Sequence, residues 1–498
     1  MANHRKSGIL LHPSSLPGPG GIGSFGEDAR RFVDFLHKSG QSLWQILPLG
    51  PTAYGNSPYS CYSAFAGNPL LISLEAVVDD GDLSSRDLAA QSGSERVDFG
   101  AVEIYKAGLL KTAAARFFAE ASQKRKEEFW QFCDSTFWLH DYALFMALKE
   151  HFKGKSWKDW PDPVARREPQ ALIEWGERLG AAIGEQKYQQ WQFLRQWKTL
   201  KAYANVLGIS IVGDLPIFVA YDSADVWANP QLFHLDAKGT PIVVAGVPPD
   251  YFSKTGQLWG NPLYNWDRMA EAGYSWWIAR LRNDLSLYDM VRIDHFRGFE
   301  AFWEIPSFEK TAVNGRWVKG PGAALFHALR SALGGLPIIA EDLGVITPEV
   351  EALRDQFAFP GMKILQFSFG SGADNPYLPH NHVRPCVVYT GTHDNDTTAG
   401  WFATLKAKEQ KAVLSYLDRD GTDIVWQLVK CALASVADYA IIPMQDLLEL
   451  PSSGRMNIPG VAGGNWSWRC SADAFTAKLA TKLSRATEIY GRLPDRVG

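Results

Sequence analysis

The stretch "YDMVRIDHFRGFE", residues 288–300, holds a short β-rich apolar run with an Arg and an Asp two positions apart, closed by a His and a second Arg. Charged side chains are rarely buried unless they are paired or used. Side chains two apart on a strand share a face, so Arg292 and Asp294 project together, and a neighbouring guanidinium favours the ionised carboxylate. Runs of the same kind recur as "GILLHP" from Gly8, "LWQILPLG" from Leu43, "ISIVGDLP" from Ile209, "PIIAEDLG" from Pro337, "KILQFSFG" from Lys363, "CVVYTGTHDND" from Cys386 and "YAIIPMQD" from Tyr439. Several are continuously apolar, as parallel strands covered on both faces are.

Between the runs lie segments with helical spacing, at 27–38, 270–286, 323–333, 348–357, 400–417 and 422–436, and a last one at 472–490. Strand then helix, repeated about eight times, is the pattern of a (β/α)8 TIM barrel. A doubly wound sheet is the rival. A chain of 498 residues suggests roughly three domains as a bare count, but a barrel with insertions exceeds that unit. The expected layout has first barrel strands and substrate loops in 1–65, a mainly helical insertion in 66–198 and a barrel strand in 199–219. An inserted loop subdomain over the site follows in 220–268, then the remaining barrel strands and helices in 269–498.

A net charge of -4 with no Lys/Arg run and no paired zinc-type cysteines points away from nucleic acid and toward a neutral substrate. The chain holds 19 Trp and 17 Tyr, and flat aromatic faces suit sugar rings as well as ordinary packing. Cys61, Cys133, Cys386, Cys431 and Cys470 are scattered and include no CxxC pair, so free thiols in a reducing, cytoplasmic compartment are expected. No run has the length of a signal peptide or membrane span. "GIGSFG", residues 21–26, fits a dinucleotide spacing, but a Pro-rich loop separates it from the strand and no acid ends the next one.

The active site of a parallel barrel lies at the carboxyl ends of its strands. Asp214, Asp294, Glu341 and Asp394 all fall at such ends, although any single acid there could instead cap the next helix. Converging acids suit cleavage of a glycosidic bond, which needs one protonated carboxyl for the leaving oxygen and one ionised carboxylate for the sugar carbon. Asp294, beside Arg292, is the natural nucleophile. Glu341 follows "LPIIA" with no Arg or Lys close in sequence, so burial would keep it protonated as general acid. His393 is placed to meet sugar hydroxyls and Asp394 to steady charge or fix a ring hydroxyl, while Asp396 is a candidate helix cap.

These residues, together with "GILLHPSSLPGPGGIGSFG", "WQILPLGPTAYGNSPYSCYSAFAGNPLLI", "GDLPIFVAYDSADVW", "GVPPDYFSKTGQLWGNPLYNW" and "MNIPGVAGGNWSWR", carry a resemblance that spans nearly the whole chain. The sequence resembles glycoside hydrolase family 77 of the α-amylase clan, the amylomaltase or 4-α-glucanotransferase family. The resemblance implies a barrel with inserted subdomains and no separate C-terminal β-domain, working by retaining double displacement on maltooligosaccharides, starch or glycogen. It implies Asp294 as nucleophile, Glu341 as acid/base and Asp394 as transition-state stabiliser, with Asp214, Arg292, His295 and His393 beside them. Substrate contacts carried over by motif are Tyr54, Ser57, Tyr59, Asp250, Phe252, Gln257, Trp259 and Asn465. No cofactor or metal is expected, nor a nucleic-acid or membrane partner, and the chain is expected to be a monomer or weak homo-oligomer. A plain α-glucan hydrolase and a non-catalytic glucan-binding protein are the alternatives. All three candidate carboxylates are present, against the second, and the aromatic segment 246–266 would favour an acceptor sugar over water, against the first. Arg297 has no assigned place.

Overall fold

Twelve strands are found in the computed structural model, which describes residues 5–88, 94–249, 253–461 and 463–494. In chain order they are β1 (Lys6–Leu10), β2 (Leu43–Gln45), β3 (Ser210–Pro216), β4 (Val243–Val247), β5 (Gln257–Pro262), β6 (Met290–Asp294), β7 (Ala301–Pro306), β8 (Arg316–Lys319), β9 (Ile338–Ala340), β10 (Gly361–Ile364), β11 (Cys386–Tyr389) and β12 (Tyr439–Pro443). Eight of them form one parallel sheet in the order β10-β11-β12-β1-β2-β3-β6-β9, and each of the eight expected runs supplies one. Their side chains face helices outside and one another inside, which is why so many of the runs are apolar without alternation.

The ends of that order, β9 and β10, meet through a side chain as well as the backbone. Ala340 N–H donates to the Pro360 carbonyl at 2.9 Å, and Asp342, just past β9, accepts the Met362 N–H at 2.7 Å. The same carboxylate is paired with Arg354 at 2.5 Å. The barrel thus closes at a part-buried ion pair.

Two strand and helix boundaries differ from the sequence expectation. The run "KILQFSFG" is extended only through Ile364 and then turns into a 3-10 helix, Leu365–Phe367, because Asn375 captures the Phe367 and Ser368 carbonyls that a longer strand would give to its neighbours. The segment 400–417 is two helices, Thr398–Thr404 and Ala407–Leu417, and the second opens where the Glu409 carboxylate accepts the Lys406 N–H at 2.8 Å.

Between β2 and β3 the chain is mainly helical, with Phe99–Glu120, Gln123–Ser135, Leu139–His151, Pro169–Arg178 and Gly180–Val206 as its larger elements. The last of these both closes the insertion and leads into β3. Within this layer buried Lys106 donates to the Leu70 and Ile72 carbonyls, each at 2.7 Å, and Trp197 fastens the layer to the barrel through the Leu287 carbonyl at 3.0 Å. A second, antiparallel sheet runs β5-β4-β7-β8. Its first two strands come from the segment 220–268 and its other two from the chain after β6. Past β12 the described residues form no further strand. All five cysteines are free, and among the described residues no helix is long and apolar enough to cross a membrane.

Removing the carboxylate of Asp342 leaves the buried Met362 N–H without its acceptor and part-buried Arg354 with Asp355 alone. Asp342→Ala is expected to lose roughly 1–3 kcal/mol in urea unfolding; a loss below about 0.5 kcal/mol would show that the seam does not depend on this carboxylate.

Candidate active site

Strand register builds the centre of the site. In the β3–β6 pairing Asp214 stands opposite Arg292, so an acid and a guanidinium from adjacent strands point into the mouth side by side. Both Asp214 oxygens accept from one guanidinium nitrogen, at 2.8 and 2.6 Å, and the other terminal nitrogen donates to Asp294 Oδ1 at 3.0 Å. Arg292 is only 4% exposed, whereas Asp294 at the strand end is 32% exposed and open to the mouth. Burial works against the Arg292 charge, but Asp214 and then Asp294 outweigh it and hold the guanidinium well above its ordinary range. Burial likewise raises the Asp214 carboxyl, with the Arg292 charge opposing it.

Glu341 sits just past β9 and faces the same mouth. Its Oε2 accepts the His295 N–H at 2.7 Å and its Oε1 the Leu343 N–H at 2.8 Å. His295 reaches that position by adopting a left-handed backbone, φ 55° and ψ 50°, directly after β6. Burial, reinforced by the negative charge of Asp294, pushes Glu341 up to about 7.

The far wall is aromatic. Tyr59 donates to Asp214 at 2.9 Å, and its ring stacks on His393 with centroids 5.1 Å apart and planes 17° off parallel. Trp466 packs against both, at 5.9 and 6.0 Å. Asp394 is 48% exposed, and its Oδ1 accepts from Asn457 Nδ2 at 2.6 Å. Trp259 on β5 sets its ring edge-on to His295 at 4.9 Å and is 38% exposed. Burial, opposed by the charge of Asp294, lowers His295 to about 4, so this imidazole is neutral at neutral pH.

Tyr59, Asp214, Trp259, Arg292, Asp294, His295, Glu341, His393 and Asp394 are therefore linked through a continuous set of contacts. The other sequence-derived residues stand differently. Ser57 accepts the Tyr59 N–H at 3.3 Å and shapes the turn that presents that ring. Gln257 accepts from the Trp259 indole at 3.1 Å, and Tyr54 is 83% exposed on the surface. Asn465 spends its carboxamide inside its own loop, on Ile458 and Val461. Asp250 and Phe252 lie outside the described residues. Asp396 does not cap the next helix: Thr397 does, by accepting the Gly400 N–H at 3.1 Å, while Asp396 accepts from Ser452.

Asn457, Arg455 and Trp466 were not singled out from sequence. Arg455 donates to the Asp394 carbonyl at 2.6 Å and to the Asn457 carbonyl at 2.7 Å, so one loop holds Asp394 from two sides. The signal available was a polar pair flanking Met456 in "GRMNIPG", where Asn457 falls inside the motif "MNIPGVAGGNWSWR" and Arg455 just before it. His12, at the end of β1, is driven to about 3 by burial and then by His393, and its Nδ1 is buried without a partner.

Paired carboxyls of unlike environment, an arginine-held acid at a barrel strand end and exposed aromatic edges together define a (β/α)8 enzyme that acts on glycosidic bonds. Comparison with known proteins agrees and is narrower. The sequence profile of the 4-alpha-glucanotransferases, glycoside hydrolase family 77, matches residues 11–475. The 4-alpha-glucanotransferase of Synechocystis sp. is 53% identical, covering 99% of both chains, and that of Thermus thermophilus is 51% identical, covering 98% of this chain and 99% of that one. The solved structure of amylomaltase from Streptococcus agalactiae in complex with acarbose superposes with a TM-score of 0.96 at 40% identity, covering 98% of this chain and all of that one. The chain belongs to the 4-alpha-glucanotransferases of glycoside hydrolase family 77.

A carboxyl raised by folding costs stability once it ionises. The cost is absent below the ordinary value near 4.5, grows as pH rises to about 7, and is constant above that. The stability of Glu341→Gln relative to the parent, read by urea unfolding, should therefore be higher at pH 8 than at pH 4, by roughly 1–3 kcal/mol. An equal difference at both pH values would mean that Glu341 titrates as in the unfolded chain.

Proposed function

We propose that this glucanotransferase moves α-1,4-glucan segments by retaining double displacement, with Asp294 as nucleophile and Glu341 as acid/base. In the first step an Asp294 oxygen bonds to the anomeric carbon of the donor. The bond from that carbon to the leaving 4-oxygen breaks, and Glu341 gives its proton to the departing chain. In the second step Glu341 takes the proton from an acceptor's 4-hydroxyl, whose oxygen attacks the same carbon and displaces Asp294. Two inversions restore the α configuration.

The observation that carries this reading is the unlike treatment of the two carboxyls. Asp294 is ion-paired with Arg292, while Glu341 has only backbone N–H partners among the described residues and is pushed to about 7, where one group can serve as acid and then as base near neutral pH. Asp394, half-exposed beside the stacked Tyr59, His393 and Trp466, is placed to hold ring hydroxyls and the developing positive charge. His295 would meet a hydroxyl of the same sugar. Trp259 offers an acceptor sugar a flat face at the mouth, and an acceptor seated there excludes the water that would otherwise complete a hydrolysis. Tyr54, Ser57, Gln257, Asn465, Asp250 and Phe252 would shape the binding cleft. Five free cysteines suit work in a reducing cytoplasm.

Incubation with maltotriose should yield glucose together with a ladder of longer maltooligosaccharides. Breakdown to glucose and maltose without lengthening would make the protein a hydrolase. Asp294→Ala should lower both transfer and hydrolysis by about 10³-fold or more while remaining folded, and near-normal turnover by the folded variant would remove Asp294 from the role.

A further inference from the structure

Arg297, three residues past Asp294, points away from the two carboxyls and toward the segment that carries Glu341. Three successive residues of one turn grip that segment. The His295 N–H donates to the Glu341 carboxylate, the Phe296 N–H donates to the Glu341 carbonyl at 3.1 Å, and the Arg297 guanidinium donates to the Val345 carbonyl. Between the last two contacts lies Leu343, whose N–H holds the other Glu341 oxygen at 2.8 Å.

The guanidinium is set in place from below. It lies over the Trp317 ring of β8, 3.7 Å from the centroid, which ties the antiparallel sheet to this turn. Glu300 and Glu349 supply the nearest negative charge, and its Nε is buried without a hydrogen-bond partner among the described residues. Arg297 is itself 7% exposed, and a charge that is buried for a carbonyl and a ring costs free energy unless the geometry it fixes is used.

We infer that Arg297 is a positioning residue for the acid: by anchoring the Val345 carbonyl it keeps the Leu343 N–H on the Glu341 carboxyl, fixing where that carboxyl points and how readily it releases its proton. The inference rests on the reading of Glu341 as acid/base. The other groups facing Glu341 are Asp294 and Arg292 from β6 and Tyr377 from the loop after β10, and none of them is bonded to Arg297. Hydrogen bonds from N–H groups favour the ionised carboxyl, so loosening the 341–345 segment raises the pH at which Glu341 ionises.

Two donors separate positioning of the acid from general damage. Maltotriose needs its leaving oxygen protonated; α-maltosyl fluoride does not, and its first step is read from the initial burst of fluoride. Arg297→Met should lower kcat/KM on maltotriose by ~10-fold or more, move the alkaline limb of its pH profile upward by roughly half a unit or more, and change the fluoride burst by about threefold at most. Arg297→Lys, which keeps a donor for Val345, should recover most of the loss. Should Arg297→Met fail to fold, Arg297→Lys carries the same comparison, with a smaller loss confined to maltotriose. Equal losses on the two donors, or an unmoved alkaline limb, would overturn the inference. Glu341→Gln run alongside tests the underlying reading by itself: it should abolish maltotriose turnover and spare the burst, and if it impairs both equally the acid assignment fails whatever Arg297 does.

Discussion

One guanidinium stands between two carboxylates at the mouth of this barrel, and the rest of the site is arranged around it. Arg292 is buried, and desolvating a cation there costs several kcal/mol unless paired charges return it. Asp214 and Asp294 return it, and the register that sets Asp214 opposite Arg292 makes the pairing a property of the β3–β6 ladder rather than of a flexible loop. Asp214 is therefore a binder of Arg292 first. It also receives the Tyr59 hydroxyl, and through the Tyr59 ring it is connected to His393 and Trp466. Asp294 and the aromatic wall thus share a single anchor.

The second acid is held in the opposite way. Among the described residues Glu341 has no cation bonded to it, only two backbone N–H groups, one of them from a residue in the left-handed region. Backbone donors fix direction without supplying a full charge, so burial and the neighbouring Asp294 can raise the carboxyl to about 7. Both devices come from "RIDHFR": Arg292 pairs with one carboxyl, while His295, Phe296 and Arg297 position the other. A six-residue stretch thus holds two acids that lie 47 positions apart in the chain.

The barrel was legible because its strands are short, apolar and bounded by polar residues, and each of the eight runs became a strand of one sheet. Arg292 beside Asp294 was legible because strand alternation is strict. The antiparallel sheet was not, since its two local pairs, β4–β5 and β7–β8, are joined by β4 pairing with β7 across the whole of β6, and no local pattern reports a partner so far along the chain. For the same reason Asn457 escaped notice: its contact with Asp394 is made by a loop 63 residues away. Asn465 was singled out by motif, yet its carboxamide closes its own loop, a use that only the backbone geometry around Ile458 and Val461 reveals. Arg297 illustrates the remaining limit, because the use of a guanidinium on a carbonyl and an indole ring far along the chain leaves no local sequence pattern.

Under the proposed double displacement Asp294, held by Arg292, becomes covalently bound to the sugar. A fluorinated α-maltosyl fluoride that forms such an intermediate faster than it releases it would trap the species, and mass spectrometry of the peptic digest would locate it. The account predicts one added glycosyl mass on the peptide containing Asp294, lost when excess maltose is supplied as acceptor. A label on Glu341 or Asp394, or active enzyme that takes up no label while releasing fluoride, would contradict it.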